Sequence, residues 1–84
     1  MILRDQFRGD LVFWIASEPR VALRVMKLVE EVVREPFGGI GKPEALKNER
    51  RKLWSRRITD EHRLIYEITG AGPTFHQARY HYRG

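Results

Sequence analysis

LWSRRITDEHRLIYEIT, residues 53–69, predicts two β-strands joined by a short turn. Leu53 to Ile58 forms the first strand, Asp60 lies in the turn, and His62 to Thr69 forms the second strand. Alternate residues of a strand point to the same face, and one face of the second strand carries Leu64, Tyr66 and Ile68. We expect this apolar face to pack on the core of the protein.

The segments on either side of this hairpin add a third strand and a loop. Downstream, Gly70 to Pro73 is a cluster of turn residues, and Thr74 to Tyr82 predicts the third strand. Upstream, residues 37–43 contain three glycines, which permit tight backbone turns. This segment lacks the spacing of a nucleotide-phosphate loop, so we interpret it as a structural turn.

Two helices are predicted before the loop. After a short first strand from Ile2 to Phe7, helical spacing of the apolar residues indicates a short helix from Gly9 to Ala16. Ser17 is expected to cap a second helix that has Pro19 in its first turn and ends before Pro36. The apolar stripe of this second helix consists of Val21, Val25, Leu28, Val29 and Val32.

Helices followed by an antiparallel meander predict an α+β fold, in which two N-terminal helices pack on one face of a twisted antiparallel sheet. A chain of 84 residues has room for one domain, which we expect to span residues 1–84. The opposite face of the sheet is expected to be open to solvent. Arginine and histidine side chains could then converge on that face.

Charge divides the chain into two unequal halves. Residues 1–41 hold six Lys/Arg and six Asp/Glu, whereas residues 42–84 hold ten Lys/Arg and five Asp/Glu. The second half therefore carries the whole net charge of +5, together with all three histidines. This asymmetry favours a surface for a polyanion, although ordinary solubilising charge is the alternative.

Composition and spacing exclude several other classes. The chain has no cysteine and the histidines lack the spacing of a zinc motif, so we expect neither a metal site nor a cofactor. No serine lies in a nucleophile elbow, which argues against a serine-type catalytic triad. The longest apolar run, residues 11–16, is too short to span a bilayer, and no leader precedes it. We therefore expect a cytoplasmic protein without a membrane partner.

The basic half contains residue types that suit metal-free RNA cleavage, in which the 2′-hydroxyl of the RNA is the nucleophile. Glu44, flanked by Lys42 and Lys47, suits a general base, although a plain surface glutamate is the alternative. Arg63 either pairs internally, with Glu67 or Glu44 as the candidate carboxylates, or points out toward a substrate phosphate. His81 suits a general acid, since histidine titrates near neutral pH.

The aromatic and paired-arginine positions leave further alternatives open. Tyr80 and Tyr82 either pack on the core or stack an unpaired base. Arg56 and Arg57 are consecutive, so they occupy opposite faces of their strand and only one of them can face a given substrate. His62 and His76 are interpreted as structural or surface residues.

Several segments in the same order resemble the YoeB/Txe toxins of the RelE superfamily. The resemblance runs from about Gly9 to Tyr82. It rests on the motifs Pro36-Phe37, Gly41-Lys42-Pro43-Glu44, Leu46-Lys47, Trp54-Ser55-Arg56-Arg57-Ile58, Glu61-His62-Arg63-Leu64, Tyr66 and Arg79-Tyr80-His81-Tyr82. It implies a RelE-like fold and an endoribonuclease toxin that cleaves messenger RNA in the ribosomal A site without a metal.

By matching position, the resemblance implies a role for each site residue. Glu44 would be the general base, Arg63 the stabiliser of the phosphate, and His81 the general acid. Tyr82 would orient the RNA or the acid. Lys47 and Arg57 would contact phosphate or ribosomal RNA.

The resemblance also implies partners. These are a YefM-like antitoxin, the ribosome with its messenger RNA, operator DNA reached only through the antitoxin complex, and a second toxin copy in a homodimer. The alternative function is a catalytically impaired homologue that binds RNA or ribosomes and acts only as an antitoxin partner.

Overall fold

The computed structural model describes residues 1–47 and 50–81. Its elements in chain order are β1 (Ile2–Leu3), α1 (Asp5–Ser17), α2 (Pro19–Arg34), β2 (Glu44–Ala45), β3 (Leu53–Arg57), β4 (Arg63–Thr69) and β5 (Gly72–Gln77). The five strands form one sheet in the order β1-β5-β4-β3-β2. Both helices pack on one face of it, which confirms the predicted α+β class. The sheet is mixed rather than wholly antiparallel, because β1 pairs with β5 in parallel.

The N-terminal prediction was wrong in its boundaries. The strand expected to reach Phe7 stops at Leu3, and α1 begins at Asp5 rather than at Gly9. Phe7 is 1% exposed and lies 5.6 Å from the ring of Phe75, centroid to centroid. Burial of this aromatic ring against the sheet therefore favours a helix that starts one turn earlier.

The second helix matches its predicted stripe. Val25, Leu28 and Val32 are fully buried, Pro19 lies in the first turn, and the helix ends at Arg34. The predicted serine cap was wrong, because Ser17 belongs to α1 and its hydroxyl donates to the carbonyl of Phe13. Both helices of the described residues fall short of the length and apolarity needed to cross a bilayer.

The two faces of the sheet differ less than the sequence predicts. Leu64 and Tyr66 belong to the core beneath the helices, as expected. The opposite face is not open along its length, since Leu53 and Ile65 are each 1% exposed. Ile68, which was expected in the core, is 37% exposed. Only part of the second face is therefore accessible to a ligand.

The last strand ends five residues earlier than predicted. β5 stops at Gln77, and the backbone of the next residue, Ala78, forms hydrogen bonds with side chains of α1. Its N–H donates to Asp10 Oδ2 (2.8 Å), and its carbonyl accepts from Trp14 Nε1 (2.9 Å). These side-chain bonds replace the strand ladder, so the residues after Ala78 leave the sheet. Tyr82 lies outside the described residues.

A buried arginine, Arg56, anchors the loop between the helices and the sheet. Its side chain is 0% exposed, and its guanidinium donates to the carbonyls of Glu35 (2.5 Å) and Ile40 (2.9 Å) and to the Tyr66 hydroxyl (3.1 Å). Burial raises the pKa of Tyr66, and Arg56 opposes that rise. The guanidinium therefore ties the end of α2 and the following loop to β3 and β4.

Gly41 shows why this loop contains glycine. Its φ is +88°, and a Cβ there would lie 2.8 Å from a methyl carbon of Leu28 and 3.2 Å from Cβ of Arg56. The Gly41 carbonyl also accepts the N–H of Arg57 (2.7 Å). The loop consequently passes tightly over the buried arginine before it enters β2.

We expect Arg56→Met to lower the free energy of unfolding by about 3 kcal/mol or more, because it removes hydrogen bonds from a charged donor that contribute roughly 1.5 kcal/mol or more each. Urea unfolding followed by circular dichroism measures the change. Arg57→Met on the adjacent exposed position is the matched control and should change stability by less than about 0.5 kcal/mol. Equal effects of the two substitutions would contradict the anchoring role of Arg56.

Asp10 gives a second stability prediction. Burial raises the pKa of Asp10 above its ordinary value of 3.8, while the Ala78 N–H and the charges of Arg79 and His62 oppose the rise. The folded chain thus holds this proton more tightly than the unfolded chain, and stability falls as pH rises from 3.8 through the raised value.

We expect Asp10→Asn, which keeps an acceptor for Ala78 but cannot ionise, to abolish this component of the pH dependence. Asp10→Ala leaves the Ala78 N–H unsatisfied and should cost about 2 kcal/mol at neutral pH. Thermal or urea unfolding of both variants between pH 3 and pH 7 provides the measurement. A stable Asp10→Ala variant would show that the bond to Ala78 is dispensable.

Candidate functional site

A small recess of about 50 Å³ lies where β2, β3 and β4 meet. One carboxylate, three cationic side chains and a hydroxyl line it; these belong to Glu44, Lys42, Arg57, Arg63 and Ser55. The recess thus combines a proton acceptor with positive charge within the half of the chain that carries the net charge. It can hold an anionic group next to a carboxylate.

Strand register explains why these residues meet. Glu44 pairs with Ser55 across β2 and β3, and Arg57 pairs with Arg63 across β3 and β4. Paired residues of an antiparallel sheet point to the same face, and Ser55 and Arg57 are two residues apart on one strand. All four side chains therefore project from the face opposite the helices.

The guanidinium of Arg63 is held by the β3–β4 turn. Its Nη1 donates to the carbonyls of Thr59 (2.6 Å), Asp60 (3.2 Å) and His62 (3.0 Å). All three bonds involve Nη1, so the N–H groups of Nε and Nη2 are not used in bonds to the turn. The arrangement fixes the cation without neutralising it.

The carboxylate partner considered for Arg63 lies elsewhere. Glu67 is bonded to His76, with Oε1 at 2.7 Å from Nε2, and its oxygen lies 3.9 Å from the Arg51 guanidinium. Within the described residues Arg63 forms no ion pair with Glu67 or Glu44 shorter than 4.0 Å. The structure thus favours the alternative in which Arg63 remains available to an anion.

The two consecutive arginines are separated as predicted. Arg56 is fully buried on the helix side, whereas Arg57 is exposed on the recess side. An Arg57 nitrogen lies 3.8 Å from an Asp60 oxygen, and both side chains are solvated. Such an exposed pair is weak and leaves Arg57 able to bind a ligand.

The remaining predicted site residues do not line this recess. His81 is exposed and lines a separate, larger cavity of about 500 Å³ with residues that include Gln77 and Tyr80. Lys47 is exposed in the turn after β2. Tyr82 lies outside the described residues. The structure therefore brings Glu44, Arg57 and Arg63 together and places His81 at a separate cavity.

Tyr80 connects the terminal segment to Arg63. The backbone N–H of Arg63 donates to the Tyr80 carbonyl (3.1 Å), and the Tyr80 N–H donates to Nδ1 of His62 (2.8 Å). His81, the next residue, is thereby kept at the start of β4. The prediction that these residues extend β5 was wrong, since Tyr80 has a φ of +56° and turns the chain.

Sequence reasoning missed the parts played by Asp10, Ser55 and the ring of His62. Asp10 and Trp14 are four residues apart in a helix, so they share a face. The available signal for the role of Asp10 was its position as a lone carboxylate beside an apolar run. The meeting of His62 with Tyr80 had no local signal, because the two residues are 18 positions apart.

Known proteins are similar to this chain in sequence and in fold. The chain is 49% identical over 73 residues to the toxin YoeB of Mycobacterium bovis, which covers 87% of this chain and 86% of the relative. A YoeB/ParE toxin from Agrobacterium tumefaciens superposes with a TM-score of 0.90 at 37% identity and covers 96% of both chains. Structures of a YoeB dimer and of a YoeB–YefM complex from Staphylococcus aureus are 29% identical, cover 96% of this chain and 94% of theirs, and have TM-scores of 0.88 and 0.86.

A family model matches nearly the whole chain. It describes the YoeB-like toxin of bacterial type II toxin–antitoxin systems and covers residues 3–82. The matched range contains both helices, every strand after β1 and the recess. The chain therefore belongs to the family of YoeB-like toxins of bacterial type II toxin–antitoxin systems.

Proposed function

We propose that this toxin is a ribosome-dependent endoribonuclease that cleaves messenger RNA in the ribosomal A site by metal-independent acid/base catalysis. The observation that supports the proposal most strongly is the recess in which Glu44 lies beside Lys42, Arg57 and Arg63. A carboxylate among cations suits a reaction that removes a proton next to a phosphate. The RNA supplies the nucleophile, so the protein needs only to move protons and stabilise charge.

In the proposed reaction Glu44 takes the proton of the 2′-hydroxyl. The 2′-oxygen then attacks the adjacent phosphorus, and negative charge accumulates on the phosphoryl oxygens. Arg63 and Arg57 stabilise this charge from neighbouring strands. Arg63 is preorganised by the turn carbonyls, which matters because a fixed cation need not reorganise as the charge develops.

His81 completes the proposed reaction as the general acid. It donates a proton to the 5′-oxygen as the P–O bond breaks, which yields a 2′,3′-cyclic phosphate and a free 5′-hydroxyl. The Arg63–Tyr80 backbone bond keeps His81 adjacent to the start of β4. The proposal requires its imidazole to reach the leaving oxygen of a phosphate seated at Arg63. Tyr82, as an orienting residue, stays a prediction.

Contact with the ribosome is proposed to use exposed cations of the basic half of the chain. Lys47 and Arg57 are exposed, and so are three further basic residues between β2 and β3, namely Arg50, Arg51 and Lys52. Exposed cations of this kind suit phosphate groups of messenger or ribosomal RNA. Because the substrate is translated messenger RNA, the proposed place of action is the cytoplasm.

The partners proposed for this chain come from its relatives. The Staphylococcus aureus structures show that YoeB forms a dimer and a complex with YefM. By family membership we propose a YefM-like antitoxin and a homodimer for this toxin as well. Operator DNA would be bound only through the antitoxin complex.

The cleavage proposal is tested by primer extension on translated messenger RNA after induction of the toxin. Glu44→Gln removes the base with little change of shape, Arg63→Gln removes the charge, and His81→Gln removes the acid. We expect each substitution to lower the cleavage rate by about two to four orders of magnitude. The wild type should leave ends that carry a 2′,3′-cyclic phosphate.

Glu61→Gln is the matched control, because Glu61 is an exposed glutamate of the β3–β4 turn outside the recess. It should cleave like the wild type. Wild-type cleavage rates in all three site variants would overturn the residue assignment. A wild type that binds ribosomes in a salt-dependent manner but leaves no cut would instead favour the catalytically impaired alternative.

A further inference from the structure

Besides a bond from Gln77 Nε2 to the Arg79 carbonyl (3.1 Å), four hydrogen bonds hold the backbone that follows β5. Two of them, from α1, fasten Ala78 through Asp10 and Trp14. The other two fasten Tyr80, whose N–H donates to His62 Nδ1 and whose carbonyl accepts from the Arg63 N–H. We call residues 78–81 the terminal segment. Its path is therefore set mainly by the side chains of Asp10, Trp14 and His62, together with one backbone bond from Arg63.

Tyr80 adopts a backbone conformation that needs such support. Its φ of +56° lies in the left-handed region, which costs a residue with a side chain about 1–2 kcal/mol. Tyrosine has no short polar side chain that could offset this cost locally. The bond from the Tyr80 N–H to His62 lies at the turn itself, directly before His81. Loss of this bond would release the turn that directs His81.

The geometry at His62 defines its proton state. Nδ1 accepts the Tyr80 N–H, so Nδ1 carries no proton and the ring proton lies on Nε2. A doubly protonated ring would place one donor against another and would break the contact. The ring also packs edge-on against Trp14 (4.8 Å) and in a tilted arrangement against the Tyr80 ring (5.0 Å), both centroid to centroid, which fixes its orientation.

Three charged side chains from the elements packed against the terminal segment have contacts in its neighbourhood. Asp10 of α1 interacts electrostatically with both His62 and Arg79. The Arg79 guanidinium lies over the ring of Phe13 on α1, 3.7 Å from the centroid. Arg63 of β4 donates to the His62 carbonyl.

We propose that His62 is a positioning residue, whose neutral imidazole holds Tyr80 in the left-handed turn and so fixes the backbone from which the side chain of His81 projects. The proposal rests on the nuclease function proposed above. It assigns His62 no contact with the RNA. His62 acts only through the Tyr80 backbone.

The decisive variants are His62→Asn and His62→Gln. The Asn amide oxygen is attached at the same carbon as Nδ1 and can accept the Tyr80 N–H without titrating. The Gln amide is one carbon longer and puts its oxygen where Nε2 lies, so the acceptor is displaced. The pair differs by one methylene, and only the first variant should restore the bond. His76→Asn, on β5 and bonded to Glu67, controls for the loss of a histidine ring.

The measurement is single-turnover cleavage by the purified chain on ribosomes programmed with a short messenger RNA. We expect His62→Gln to lower the rate by about 10- to 100-fold, because a small misplacement of a catalytic group has effects of this size. His62→Asn and His76→Asn should stay within about threefold of the wild type. Ribosome binding should be unchanged in all variants, so the loss falls on the catalytic step and not on affinity.

Nitrogen-15 NMR supplies a readout that does not depend on cleavage. In the wild type His62 should show an unprotonated Nδ1 and a protonated Nε2. The Tyr80 amide should be protected from hydrogen exchange in the wild type and in His62→Asn, but not in His62→Gln. A protonated Nδ1 in the wild type would overturn the inference even if a variant failed to fold.

The outcomes separate the two proposals. No cleavage by the wild type overturns the proposed nuclease function and the positioning role with it. Wild-type cleavage together with equal rates in His62→Asn and His62→Gln overturns the positioning role alone. The positioning role is also overturned if His62→Asn keeps the protected Tyr80 amide yet loses activity as fully as His62→Gln.

Discussion

The buried guanidinium of Arg56 is the constraint from which the site follows. A cation with no exposure must have its donors satisfied, and here the loop carbonyls of Glu35 and Ile40 and the Tyr66 hydroxyl accept them. The loop after α2 is consequently drawn over β3. It enters β2 in the register that sets Glu44 beside Ser55. The position of the Glu44 carboxylate therefore depends on the buried charge of Arg56.

Because side chains alternate between the faces of a strand, the adjacent residues Arg56 and Arg57 have different roles. Arg56 faces the helices and stabilises the loop, whereas Arg57 faces the recess and stays exposed. The same alternation on β4 sends Leu64 and Tyr66 into the core and Arg63 to the opposite face. One hairpin thus connects the hydrophobic core to the cationic surface within a few residues. A one-residue slip of its register would bury the recess cations and expose the core.

The terminal segment is organised by a different principle. β5 does not continue, because the side chains of Asp10 and Trp14 take the hydrogen-bonding groups of Ala78. The N–H and the carbonyl of Ala78 both still have partners, but these partners are side chains of a helix. This exchange turns the chain at Tyr80 and sets His81 beside β4. Helix α1, the β3–β4 turn and strand β4 all contribute hydrogen bonds to a segment that has no ladder of its own.

Sequence alone determined the elements whose signals are local. The second helix, the hairpin, the α+β class and the opposite faces of Arg56 and Arg57 follow from periodicity and turn residues over a few neighbouring positions. The resemblance in its motifs identified the toxin family, which the family model confirms. The early start of α1, the end of β5 and the turn at Tyr80 were decided by the tertiary structure. Their causes are contacts between distant residues, such as Asp10 with Ala78 across 68 positions, and no local pattern encodes which distant side chain will meet a given backbone group.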